Sequence, residues 1–250
     1  MTNESTVIVT GGSRGIGAAA CRVLAGRGHA VAVNYTRDAA AAEALAAEIR
    51  ARGGRALAIQ ADVADAQQVA ALFARADREL PPLRALVNNA GVVDLPARVD
   101  EMDAARLQRM FAINVFGSFH CAREAVRRLS TKHGGRGGAI VNVGSAAARL
   151  GSPGQYVDYA ATKGAIDTFT LGLAREVAAE GVRVNAVRPG LIATEIHASG
   201  GLPERARQLA PQVPMQRAGN ADEVAQAIAW LLSDEASYTT GAILDVSGGR

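Results

Sequence analysis

Three observations predict a doubly wound α/β fold. Gly11, Gly15 and Gly17 follow directly on the first apolar run, Val7-Ile-Val-Thr10. Apolar β-branched runs then alternate with amphipathic segments to the end of the chain. Those runs are near-continuous Val, Ile, Leu and Ala, as expected of parallel strands covered on both faces.

The first strand ends at Thr10 and passes through a tight turn into a helix over Ile16 to Arg27, closed by Gly28. Glycine suits this turn because its backbone reaches angles other residues avoid, and because a phosphate can approach it without meeting a Cβ. The first helical amides and the helix dipole then favour the phosphate charge. Ala30 to Tyr35 is the second strand. Asp38 to Arg52 is an alanine-rich helix with Asp38 as its cap, ended by Gly53-Gly54. Arg55 to Gln60 is the third strand, followed by a helix from Ala66 to Leu80 that Pro81-Pro82 stops. Leu83 to Val87 runs as the fourth strand into Asn88-Asn89-Ala90-Gly91. One long helix is expected over Asp103 to Ser130, a fifth strand over Ala139 to Val143, and a second long helix from Gln155 to Glu180 with Ile166, Phe169, Leu173 and Val177 as its apolar seam. Val182 to Val187 is a sixth strand. Arg188 to Asn220 holds Pro189, Pro203, Pro211 and Pro214 and lacks periodicity. A last helix over Ala221 to Ser233, capped by Asn220, precedes a last strand at Ala242 to Val246. The seven strands fill residues 1–250 as a single domain, without linker or repeat.

Composition excludes several classes. At 49% hydrophobic and 20% charged residues the chain is an ordinary globular protein. It has no apolar run long enough to span a membrane and no secretory pattern at its start, so a cytoplasmic location is expected. Cys21 and Cys121 sit among apolar neighbours in helical patterns and read as two buried thiols, with no metal site. The net charge is +3, yet basic residues are interleaved with acids and aromatics are only 4%, which argues against nucleic acid. The densest basic group, Arg123 to Arg136, reads as a solvated helix end whose cations suit the dipole. Of 27 basic side chains only Lys132 and Lys163 are lysines.

The glycine turn, Asn88 to Gly91, Gly144-Ser145 and Arg188 to Thr194 all fall at the carboxyl ends of strands, where such sheets bind ligands. Tyr159 and Lys163, four apart, share a helix face there. A phenol is a poor base at neutral pH, and a nearby ammonium favours its phenolate. Ser145 brings a hydroxyl to the same place. Tyr156 is a second phenol but has Ala160, not a cation, four residues on.

Thr10-Gly11-x-x-x-Gly15-x-Gly17, Asn88-Asn89-Ala90-Gly91, Ser145, Tyr159-x-x-x-Lys163, Pro189-Gly190 and the Asp245-Val246-Ser247-Gly248-Gly249 ending together resemble the short-chain dehydrogenase/reductase family over essentially the whole chain. The resemblance implies a Rossmann fold with strand order 3-2-1-4-5-6-7. It implies hydride transfer between NAD(P) and a carbonyl or secondary alcohol, and a homotetramer built on the two long helices. By the same resemblance Tyr159 is the general acid/base, and Ser145 hydrogen-bonds the substrate oxygen. Lys163 would lower the tyrosine pKa and bind the nicotinamide ribose, and Asn114 would hold a relay water. Cofactor contacts are implied for Gly11, Ser13, Arg14, Gly15, Ile16 and Gly17, for Asp62 and Val63 at the adenine, and for Asn89, Ala90 and Gly91 at the adenosine ribose. Pro189, Gly190, Ile192 and Thr194 complete the set, the last two at the nicotinamide amide. Two departures stand out: Thr162 replaces a frequent Ser, and Gly144 stands where many members have Ser.

Cofactor choice rests on the end of the second strand, Asn34-Tyr35-Thr36-Arg37. An acid there would bind a ribose 2′-hydroxyl and repel a 2′-phosphate. Asp38 comes too late and reads as a helix cap, while Arg14 and Arg37 are placed to clasp a phosphate, so NADP is favoured over NAD. The expected activity is an NADP(H)-preferring carbonyl reductase or alcohol dehydrogenase. Within the family the likeness extends to 3-oxoacyl-carrier-protein reductases and sugar 1-dehydrogenases, and Arg175, Lys132 and Arg128 are candidates to receive an acidic carrier. A non-catalytic cofactor-binding regulator is the alternative from another class, opposed by the intact Ser145, Tyr159 and Lys163. The substrate is set mainly by Ile196 to Arg217, whose sequence does not identify it.

Overall fold

The computed structural model describes residues 5–195 and 200–250. Its seven parallel strands are β1 (Thr6–Val9), β2 (Ala30–Tyr35), β3 (Ala56–Gln60), β4 (Leu83–Asn88), β5 (Gly138–Val143), β6 (Val182–Pro189) and β7 (Ile243–Val246). They form one sheet in the order β3-β2-β1-β4-β5-β6-β7, with Val7 opposite Val31 on one side and Ala85 on the other. The order reverses between β1 and β4, and a crevice opens beyond the strand ends at that point.

Helices α1 (Gly15–Gly26) and α2 (Ala39–Ala51) cover one face with the helix near the C-terminus, and α3 (Ala66–Glu79) lies on the other. On the first face Leu24, Leu45, Ile49 and Ile228 pack against Val7, Val9, Val31 and Val141. On the second, Leu72, Phe73, Leu129 and Val177 pack against Ile8, Leu86, Ile140 and Val184. The alternation within each strand is therefore apolar on both sides, which is why its residues read as unbroken runs.

The long helix expected over Asp103 to Ser130 is divided. It consists of α4 (Ala104–Phe111), a π-type turn over Ala112–Phe116, and α5 (Gly117–Leu129). Such a turn holds one residue more than an α-turn and is an irregularity that hydrophobic spacing does not announce. Gly117 follows it because α5 presses on the loop after β3: a Cβ there would stand 2.6 Å from Val63 Cγ2. The second long helix, α7 (Val157–Val177), begins two residues later than expected, after a short α6 (Ala147–Leu150) with no sequence signal. Within the proline-bearing segment lies α8 (Arg205–Leu209), also unexpected, and the chain closes through α9 (Ala221–Leu232) and β7. Caps behave as read: Asp38 Oδ1 accepts from the Ala41 amide at 2.9 Å, and Asn220 accepts from Glu223 while Glu223 accepts from Asn220.

Cys21 and Cys121 are free and buried, and burial raises the Cys121 thiol to about 12. The basic helix end is neutralised internally. Glu124, with its side chain 7% exposed, pairs with Arg127 and Arg128, and Arg128 also reaches Asp77. Among the described residues no helix is long and apolar enough to cross a membrane, and no cluster of metal ligands occurs.

Candidate active site

The glycine turn is shaped by what surrounds it. Gly11 and Gly15 hold φ of +57° and +53°, in the left-handed region that glycine enters freely. A Cβ on Gly17 would lie 2.3 Å from the Gly11 carbonyl and 2.6 Å from Asn89 Nδ2, so the first turn of α1 can seat itself only as glycine. Two asparagines lock the turn. Asn34 Oδ1 accepts from the Gly11 amide at 3.2 Å, and its Nδ2 donates to Ala61 O at 3.0 Å. Asn89 Nδ2 donates to the carbonyls of Thr10 and Gly11 at 2.8 and 2.9 Å. The Asn89 side chain thus binds protein, and it is the backbone from Asn89 to Gly91 that borders the cleft.

The other expected cofactor residues fall around this turn. Ser13 is half-buried in it, and Ile16 packs its side chain onto the first core face. Arg14 and Arg37 are both exposed, with no side-chain partner among the described residues. Asp62 is turned back on its own loop, where Oδ1 accepts from Ala64 N at 2.9 Å, and Val63 is buried beneath α5. After β6, Gly190 lies so close to Ser247 that a Cβ would come within 2.7 Å of its Cα. Ile192 bridges to Gly219, and Thr194 sits 3.6 Å from where a Gly15 Cβ would stand. The loop after β6 therefore reaches over the glycine turn. The span named for substrate choice includes 196–199, which lie outside the described residues; in the described part Arg205 of α8 stands over the Tyr156 ring, 5.4 Å from its centroid.

Ser145, Tyr159 and Lys163 come together at the end of β5. Tyr159 hydrogen-bonds the Ser145 side chain, and Ser145 Oγ accepts from Ala147 N at 3.1 Å. Lys163 Nζ, buried, donates to Val143 O at 2.7 Å and lies 5.6 Å from the Tyr159 ring centroid. Burial raises the Tyr159 pKa, with the Ser145 hydrogen bond opposing it. The net direction is opposite to the lowering expected from Lys163, whose ammonium donates to the Val143 carbonyl while standing beside the Tyr159 ring. Burial in turn lowers Lys163 from 10.5 to about 8, against the pull of Asp167.

Asn114 projects from the π-type turn into the same corner. Its Oδ1 accepts from Val92 N at 2.8 Å, and its Nδ2 donates to Val92 O at 2.9 Å and Thr162 Oγ1 at 3.2 Å. The amide thus clamps the strand-end backbone. A Cβ on Gly91 would stand 3.4 Å from Asn114 Oδ1 and 3.6 Å from Lys163 Nζ, so three separate elements meet at that glycine.

Sequence reading missed a second tier. Asp158, next to Tyr159, has a fully buried side chain gripped by Arg106 Nε and Nη2 at 2.7 and 3.2 Å, while Arg106 Nη1 donates to Leu95 O. The pair ties α4 and the loop after β4 to the first turn of α7. Its signal was a charged residue at a helix position flanked by Ala160, and spacing alone does not show that the position is buried.

Comparisons agree with this arrangement. A family model described as enoyl-(acyl carrier protein) reductase matches residues 11–250. The oxidoreductase YgfF of Escherichia coli K12 is 56% identical over 243 residues, covering 97% of this chain and 98% of its own. The 3-oxoacyl-[acyl-carrier-protein] reductase FabG of Staphylococcus aureus is 38% identical over 251 residues, covering 100% and 99%. A short-chain dehydrogenase of Burkholderia cenocepacia J2315, solved in complex with NADP, superposes with a TM-score of 0.90 at 34% identity, covering 100% and 99%. The sheet order, the glycine turn and this likeness along the full chain define a Rossmann-fold oxidoreductase. The chain belongs to the short-chain dehydrogenase/reductase family. It is an NAD(P)-dependent enzyme acting on CH–OH or C=O groups.

Proposed function

We propose that the protein interconverts a carbonyl and a secondary alcohol with NADP(H) as the preferred cofactor and Tyr159 as general acid/base. The observation that carries the reaction is the meeting of Tyr159, Ser145 and Lys163 at one strand end. The residues present fit such a cofactor: α1 opens at Gly15 with no side-chain cap, where free amides and the dipole attract phosphate. Arg14 and Arg37 with the Asn89–Gly91 backbone would take the adenosine end, and Lys163 the sugar next to the reacting ring.

When bound, a nicotinamide cofactor supplies or accepts the hydride. In the reducing direction the Ser145 hydroxyl orients the substrate oxygen, and Tyr159 Oη gives that oxygen its proton. A phenol whose pKa is raised by burial holds its proton at neutral pH, which suits an acid. In the oxidising direction Tyr159 takes the proton back, and the Lys163 ammonium favours the phenolate. Tyr159→Phe is expected to keep cofactor affinity and lose at least about a hundredfold in turnover, the scale of a general acid/base. Steady-state rates on a panel of ketones and alcohols, with cofactor binding by fluorescence, check it. Turnover near wild type would remove Tyr159 from the chemistry.

The cofactor preference is supported by Asp38, whose carboxylate is committed to the α2 cap, and by the exposed guanidiniums of Arg14 and Arg37, which have no partner among the described residues. Arg37→Ala should weaken NADPH binding roughly ten- to a hundredfold, the range for charge-assisted hydrogen bonds, and leave NADH nearly unchanged. Titrating both cofactors against both proteins tests this. A wild type that prefers NADH would overturn it.

A further inference from the structure

On α7 the residues Tyr159, Lys163 and Asp167 follow at intervals of four and so form one row along the helix. The second and third reach consecutive residues at the end of β5. Lys163 Nζ donates to Val143 O at 2.7 Å, and Asp167 Oδ1 stands 3.3 Å from where a Cβ on Gly144 would be. Any side chain at 144 would crowd that carboxylate and also the Val187 carbonyl, 3.1 Å away. Gly144, a departure from the serine common at this position in the resembling family, is the residue that makes room for Asp167.

The carboxylate is held from its far side. Arg188 Nε and Nη2 both donate to Asp167 Oδ2, at 3.0 and 2.8 Å. Oδ1 is buried with no hydrogen-bond partner among the described residues. An unpaired buried carboxylate oxygen is costly, so its setting calls for an explanation. The Lys163 ammonium stands one helical turn away in the same row of α7.

We propose that Asp167 is a positioning residue for Lys163: seated against Gly144 and held by Arg188, its carboxylate keeps the lysine ammonium charged and aimed at the end of β5. The inference rests on the reading that Lys163 works with Tyr159. Among the described residues the groups facing Lys163 are Tyr159 and Asp167 from its own helix, Ser145 from the end of β5, Asn114 from the π-type turn, and the Gly91 backbone. Arg188 of β6 acts through Asp167, and is itself 3.8 Å from Asp245, which pairs with Arg149. Asp167 is the carboxylate that opposes the loss of the lysine proton by burial.

The pH dependence of kcat for carbonyl reduction by the full-length enzyme tests this. Asp167→Asn should move the alkaline limb down by about one pH unit, the low end for loss of a nearby opposite charge. Arg188→Gln, which removes the competing cation and leaves the carboxylate to the lysine, should move it up. A purely structural role would lower stability in both variants and shift neither limb in opposite senses. Where Asp167→Asn alone does not fold because Arg188 is left unpaired, Asp167→Asn with Arg188→Gln takes its place, and its limb should again lie below wild type. An unmoved limb in a variant with wild-type circular dichroism, or shifts of the same sign in both single variants, overturns the proposal. Tyr159→Phe and Lys163→Met run alongside: full activity in those defeats the catalytic reading itself, whereas their inactivity with an unmoved Asp167 limb defeats only this inference.

Discussion

At the scale of residues, Lys163 carries a consequence for stability as well as for chemistry. Its folded-state pKa lies near 8, below the ordinary 10.5 it regains on unfolding. Between those values the unfolded chain binds more protons than the native one, so the lysine's contribution to stability rises with pH across that window. Below 8 both states are protonated and the cost of burying the charge is present in full. Lys163→Met should therefore flatten the slope of unfolding free energy against pH between 8 and 10, and raise stability most at the acid end of that range. Urea denaturation of both proteins at several pH values measures the difference, in which the titration of the buried cysteines cancels. Among the site residues, Tyr159, Lys163 and Ser145 were legible because their spacing is local and their chemistry unusual for their setting. Asp167 was written in the same register, four residues past Lys163, but nothing in a sequence tells that its carboxylate is buried or that Arg188 lies behind it. For Asn89 the sequence did not show that its side-chain amide braces the glycine turn, a contact between residues 78 and 79 apart.

At the scale of elements, caps and breakers did most to define boundaries. Asp38, Asp65 and Asn220 each accept from amides one turn into α2, α3 and α9, and the helices start where those residues stand. Asp38→Ala should cost about 1 kcal/mol in unfolding free energy, the usual value of an N-cap. It should leave the ratio of NADPH to NADH affinity unchanged, because the carboxylate serves the helix and not the ribose. A large change in that ratio, read by binding titration, would return Asp38 to the cofactor. What stayed hidden was irregular backbone. The π-type turn at Ala112–Phe116 lies inside an unbroken helical pattern, and its determinant, the Asn114 clamp on Val92, is a contact between residues 22 apart. The short α6 and α8 span fewer than two turns, too few for a period to register.

At the scale of the whole molecule, one sheet separates two cores. Leu24 lies on one side and Phe73 on the other, each essentially inaccessible and without a neighbour in common. Leu24→Ala should cost about 2–5 kcal/mol and Phe73→Ala about 3–5 kcal/mol. The double variant should lose their sum within about half a kcal/mol, as separated sites do. Chemical denaturation of the three variants measures it, and a marked shortfall would show that the sheet transmits strain between its faces. The number of strands and their parallel sense followed from composition and alternation. Their order did not, because no local pattern says that β1 lies between β2 and β4; it came with the family resemblance.

That central place of β1 bears on how the protein comes into being. The chain is made from its N-terminus, and domains begin to fold as they emerge. The glycine turn and α1 leave the ribosome well before β4 does. Yet Asn89, whose amide donates to the carbonyls of Thr10 and Gly11, comes out only after β4. The Thr10 hydroxyl likewise waits for the amides of Asn89 and Ala90, which donate to it at 2.9 and 3.0 Å. A nascent chain stalled before that point has the turn's glycines without the brace that sets their shape. The shape of the glycine turn is therefore set in a single step of translation, as Asn88-Asn89-Ala90-Gly91 clears the exit tunnel.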